Sequence, residues 1–186
     1  MITVAGVRVH AHRSALLVAA AVLAGLVAAL AVLQPALHDL GMDGRSVPAW
    51  AVPVGLPALF LAAVAVHEAA HLGAGALFGF RLREVHLRVM GLGIRMQRDD
   101  ERERTNAEQV LVSFAGPAAE VAFGLAALHL LTFSYAFQAG GLLIAANGLA
   151  NGLLPIPHLD ASRMYRAAWR VLRGRGREPF GATARS

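Results

Sequence analysis

Between Val47 and Phe80 the chain has three ionisable side chains, and all of them fall within five residues, His67-Glu68-Ala69-Ala70-His71. Histidines at i and i+4 lie on one helical face and can share a metal ion. A glutamate beside the first histidine can take a proton from water that the metal activates. Ionisable groups inside a membrane span are costly and mark function by default. The pattern reads as a zinc site built inside a bilayer.

Composition supports that setting. Hydrophobic residues make up 56% of the 186 residues and charged residues only 16%, where a soluble domain of this size carries about 25% charge. No cysteine is present, which excludes disulfides, thiolate zinc sites and a cysteine nucleophile and leaves His, Asp and Glu as ligands. The net charge of +5 comes with arginine as the sole strong base, since the chain has no lysine. The arginines cluster at the ends of apolar segments, where a membrane protein places them. That reading is preferred to nucleic-acid binding, and no nucleic-acid partner is expected.

Four apolar segments are predicted to be spans. The first runs from Ser14 to Leu37, with an uninterrupted apolar part, Ala15 to Leu33, close to the roughly 20 residues a span needs. It is longer than the h-region of a signal peptide, about 7–15 residues, and reads as uncleaved. The second carries the histidines. Pro57 suits the first turn of a helix, and a helix from Pro57 to about Gly79 would be roughly 33 Å long. Residues Ala51 to Leu56 are expected in the interface. The third runs from about Gln109 to Phe133 with Gly116-Pro117 and Glu120 inside it. The fourth runs from about Ala139 to Pro157.

Between the second and third segments, Val85, Leu87 and Val89 alternate with His86, Arg88 and Met90, a period-2 strand pattern. Gly91-Leu92-Gly93 can turn the chain and Ile94-Arg95-Met96 resumes it, which predicts a short membrane-associated hairpin. Residues Ala161 to Arg173 read as a basic amphipathic helix on the membrane surface. Its arginines 163, 166, 170 and 173 recur at spacings of three and four, and Met164, Ala168 and Leu172 lie on another side. The tail from Gly174 is expected to fray. The resulting fold class is an all-α integral membrane protein of about four transmembrane helices, a single domain over 1–186 with its core at about 57–170. All arginines but Arg45 then lie on one side, so both termini are predicted cytoplasmic.

Two histidines are not enough for catalytic zinc, which usually takes three protein ligands. Glu120, His129, His158 and Asp160 are the candidates inside or beside apolar sequence. Asp160 follows Leu154-Pro155-Ile156-Pro157-His158-Leu159, and the two prolines hold an extended segment near membrane depth. Such backbone is tolerated there where it lines a cavity, and a carboxylate on it can reach the histidine face. Asp160 alternatively caps the following helix. His129 reads as packed or interfacial, His158 as interfacial or else an alternative ligand or substrate contact, Glu120 as hydrogen-bonded within the bundle or else touching the site, and Gly116-Pro117 as a site of close packing and a kink.

Several of these motifs occur in the order found in the site-2 protease family of zinc intramembrane metalloproteases, which the sequence resembles over roughly residues 57–170. They are HEAAH in a span, a polar hairpin, Phe114-Ala115-Gly116-Pro117 in the next span, and Leu154-Pro155-Ile156-Pro157-His158-Leu159-Asp160 after the last. The resemblance implies one Zn2+ per chain on His67, His71 and Asp160, with Glu68 as the base. It also implies hydrolysis of a peptide bond in or near the membrane span of a protein or peptide substrate. The family's last motif usually carries Asn and Gly where this chain has Gly152 and Ala161, and its span-three motif carries Asn where this chain has Glu120. Asn147 or Asn151 is the candidate for stabilising the oxyanion or positioning substrate. The expected location is the cell membrane, with the site toward the cytoplasmic leaflet and regulation by a membrane partner. The alternative is a catalytically impaired homologue that binds membrane partners.

Overall fold

A computed structural model describes residues 2–4, 7–11, 51–88, 91–97, 103–157 and 159–180. The expected span from Ser14 to Leu37, and His158, lie outside them. The elements are β1 (Ile2–Val4), β2 (Val7–Ala11), α1 (Ala51–Leu77), β3 (Arg81–Arg88), β4 (Gly91–Gln97), α2 (Asn106–Leu130), α3 (Tyr135–Leu153), α4 (Asp160–Arg170) and a short π-helical turn (Val171–Arg175).

Helix α1 begins at Ala51 rather than Pro57, so Pro57 lies inside the helix. Its missing N–H removes one backbone bond, and packing holds the turns before it. A side chain on Gly55 would meet the Phe137 ring of α3, and one on Gly140 would stand 2.7 Å from a Leu56 methyl. The 27 residues make a helix about 40 Å long. At its C-terminus Gly79 takes φ 77°, the left-handed region open to glycine. The Phe80 N–H then donates to the Gly75 carbonyl and the Gly79 N–H to that of Ala76. These two bonds form a Schellman motif that satisfies the last carbonyls and turns the chain into β3.

Strands β3 and β4 pair antiparallel with Arg88 opposite Gly91 and Leu87 opposite Leu92. Gly91-Leu92-Gly93 is therefore strand rather than the expected turn. Against the expectation of a lone hairpin, β2 adds to β3 in parallel and β1 to β2 antiparallel. The result is a four-stranded sheet with β4 at one edge. The alternation Val7-Arg8-Val9-His10 carries the same period-2 signal as β3, so the fold is mostly helical rather than all-α.

Helix α2 starts with a capping box. Thr105 Oγ1 accepts the Glu108 N–H and the Glu108 carboxylate accepts the Thr105 N–H. Its next two free N–H groups, those of Asn106 and Ala107, donate to the Glu178 and Gly176 carbonyls. Contrary to the expected fraying, residues 175–180 thus fold back onto this helix start, turned by Gly174 at φ 77°. The same π turn changes the helical phase after α4, so Leu172 is 81% exposed, while Ala161 and Ala167 are the buried anchors.

Helices α2 and α3 approach backbone to backbone. A Cβ on Gly141 would lie 2.6 Å from the Leu128 nitrogen and 2.8 Å from the Gly124 oxygen, as small-residue interfaces in membranes allow. The segments Val54–Leu77 and Asn106–Leu130 are long and apolar enough to cross a bilayer. Helix α3 is shorter, and Gln138, Asn147 and Asn151 dilute its apolar character. Large apolar side chains face outward, with Leu77 86% and Phe114 55% exposed, while His67, Gln109, Ser113 and Glu120 are buried. Polar groups inside and apolar groups outside suit a protein solvated by hydrocarbon.

Candidate metal centre

His67 and His71 lie one turn apart on α1, and both imidazoles face α2. The His71 Nδ1–H donates to the Val112 carbonyl at 2.6 Å. The His67 Nδ1–H donates to Glu120 Oε2 at 2.8 Å. With the proton on Nδ1 in each neutral ring, each Nε2 carries a lone pair. Those two nitrogens are 3.1 Å apart, and Asp160 Oδ2 stands 3.2 Å from each.

This triangle is what a divalent cation requires. Metal–ligand bonds of about 2.0–2.1 Å in a tetrahedron separate the ligand atoms by roughly 3.3 Å. Three lone pairs aimed at one point repel each other unless a cation or a proton sits between them. His67, His71 and Asp160 are a cluster able to hold a metal ion among the described residues. The backbone leaves the room: a Cβ on Gly116 of α2 would stand 2.7 Å from His67 Nε2 and 2.6 Å from His71 Cε1. Only glycine there lets the helix carry these rings so closely.

Asp160 is in the first turn of α4 and Leu159 is its N-cap, with no side-chain cap hydrogen bond. The carboxylate is thus committed to the histidines rather than to capping, at a helix end whose dipole favours an anion. Asn151 of α3 fixes it further: Asn151 Nδ2 donates to Asp160 Oδ2 at 3.3 Å, and the Asp160 N–H donates to Asn151 Oδ1 at 3.1 Å.

Asn147, one turn earlier on α3, donates to Glu120 Oε1 at 2.6 Å. Both asparagine amides are therefore engaged with carboxylates of the centre. Glu120, read from sequence as a bundle residue, contacts His67 directly. The Val112 carbonyl and the Gly116 floor went unrecognised, although residues 112, 116 and 120 repeat at i, i+4 and i+8 and so share one face of α2. Glu68 follows His67 on α1 and is half-buried. His129 is exposed in the last turn of α2, about 25 Å along the helix from Val112, and takes no part.

No protein-family profile matches the sequence, and no curated protein matches it. Among solved structures it is similar to the Site-2 Protease from Methanocaldococcus jannaschii, with 20% identity and a TM-score of 0.56, over 92% of this chain and 71% of that one.

Proposed function

We propose that the chain, which has a site-2-protease-like fold, is a zinc-dependent intramembrane endopeptidase that hydrolyses a peptide bond in or near the membrane span of another protein. The observation that carries this reading is the 3.1–3.2 Å triangle of His67, His71 and Asp160 on helices whose outer surfaces are apolar. Zinc held there supplies Lewis acidity, which acidifies water and polarises a peptide carbonyl.

The chain's own residues do the rest. His67, His71 and Asp160 would hold the ion, three protein ligands being the usual number for a catalytic zinc. Glu68, adjacent to the first ligand, takes the proton from water and returns it to the leaving amine. Asn147 and Asn151 act through the ligand set, each bonded to a carboxylate of the centre. Strand β4 lies at an edge of the sheet formed by the described residues, and an unwound substrate segment can add there as a strand. The substrate is a membrane-spanning protein or peptide. Arginine placement orients both termini to the cytoplasm in a multi-pass chain. Exposed Trp169 and Tyr165 on α4 suit the interface near the same leaflet.

The test is cleavage of a single-span substrate in reconstituted vesicles. Wild type is expected to carry about one zinc per chain and to cut. Glu68→Gln is expected to keep the zinc and lose at least 100-fold in rate. Unchanged cleavage by Glu68→Gln rejects the assignment, and a zinc-loaded wild type that cuts no membrane substrate favours a non-catalytic partner-binding role.

A further inference from the structure

The two histidines of the centre are held by chemically different acceptors. His71 leans on a neutral backbone carbonyl, that of Val112, whereas His67 leans on the Glu120 carboxylate. Holding a ring in one tautomer needs only an acceptor, and the carbonyl beside His71 meets that need. Glu120 is 6% exposed, and placing a carboxylate there costs free energy that a neutral acceptor would not. Both of its oxygens face donors, Oε2 toward His67 Nδ1–H and Oε1 toward Asn147 Nδ2–H. Each oxygen therefore meets a donor, and the group is braced from two helices.

We infer that Glu120, braced by Asn147, is a positioning residue that strengthens metal binding through His67. The carboxylate draws on the Nδ1–H bond and enriches the Nε2 lone pair. It also stops the ring from turning that lone pair away from Asp160 and His71. Outer partners of this kind are typically worth 10–100-fold in metal affinity. The inference rests on the metal-site reading above and goes beyond it, since neither Glu120 nor Asn147 touches the ion.

The experiment is zinc affinity of the purified full chain in detergent, measured by competition with a chromogenic chelator, together with the visible spectrum of the Co2+-loaded chain. Glu120→Gln keeps an acceptor and removes the charge; about 10-fold weaker zinc binding is expected. Glu120→Ala removes both, and about 100-fold is expected, with altered Co2+ bands as His67 loses its orientation. Asn147→Ala leaves the carboxylate and removes its brace, and about threefold is expected. A residue that only packs helices would lower the melting temperature and leave zinc affinity and the Co2+ spectrum at wild-type values. That result in Glu120→Gln overturns the inference. Should the Glu120 variants fail to fold by circular dichroism, Asn147→Ala decides, and unchanged affinity overturns it. These readouts do not depend on proteolysis. A wild type that binds zinc and cuts nothing defeats the peptidase reading alone, whereas one that binds no zinc defeats both.

Discussion

Gly116 is where one methyl group should separate metal binding from folding. In Gly116→Ala the new Cβ would stand 2.6 Å from His71 Cε1 and 2.7 Å from His67 Nε2. Carbon prefers about 3.5 Å or more from such atoms, and His71 Nε2 is closer still, so the rings must move by roughly 0.8–1 Å. The rings cannot retreat freely, because the bonds that hold them, to the Val112 carbonyl and the Glu120 carboxylate, come from the same helix on either side of Gly116. A metal–ligand bond tolerates about 0.2 Å, so the displacement exceeds what coordination allows. Overpacking of this kind costs about 1–3 kcal/mol, equivalent to about 5–150-fold in zinc affinity. The assay is a zinc titration against a competing chelator, with circular dichroism to show that the helices persist. Gly73→Ala is the control: it lies on α1 two residues past His71, and its Cβ would meet nothing within 4 Å. Wild-type zinc affinity in Gly116→Ala would refute both the placement of the rings and the role of this glycine.

Other consequences are equally concrete. Asn151→Ala removes an acceptor from the Asp160 N–H and a donor from its carboxylate; thermal unfolding should show a loss of about 1–3 kcal/mol, and zinc titration a roughly tenfold weakening. Gly152→Asn introduces the residue usual in site-2 proteases but brings a Cβ to 3.1 Å from the Pro117 ring. A melting temperature lower by a few degrees is expected, with no gain in cleavage. Ending the chain after Gly174 deletes four bonds to residues 104–107, from or to Arg175, Gly176, Glu178 and Phe180. At about 0.5–1.5 kcal/mol each, their loss should speed hydrogen exchange at the first turn of α2, and unchanged exchange there would contradict the strap.

The sequence made the candidate cluster legible because its chemistry is local or carried by motif. The i, i+4 pair on α1 stands out from an apolar background, and Leu154 to Asp160 places a carboxylate after a helix-ending run. What holds the ligands was not legible, since it depends on pairing across helices. Nothing near Glu120 in the chain says that it faces His67, 53 residues away. The repeat of Val112, Gly116 and Glu120 at every fourth residue becomes informative only once α2 is known to lie against α1. The start of α1 was misplaced for a related reason. Pro57 is a reasonable first-turn residue by local preference, but contact of Gly55 and Leu56 with α3 overrides it. Likewise the tail from Gly174 looks frayed on composition, yet the unsatisfied N–H groups of α2 give its carbonyls partners.

Three helices each bring residues at spacings of four toward one point: His67 and His71 on α1, the Val112 carbonyl, the bare Gly116 backbone and Glu120 on α2, Asn147 and Asn151 on α3. The candidate metal ligands come from α1 and α4, whereas the groups hydrogen-bonded to them come from α2 and α3. This division follows from the solvent. In hydrocarbon, a helix gains little from burying apolar surface against its neighbour, so its rotational setting must be fixed by close backbone packing and hydrogen bonds. The α2–α3 pair uses close packing, through Gly124 and Gly141. Helix α1 is set against that pair by the two imidazole bonds, and α4 by Asn151 together with buried Ala161 and Ala167. The bonds that prepare the centre for a cation therefore also lock α1 and α4 onto the bundle, so the ionisable residues that are costly in lipid orient the helices as well as the site.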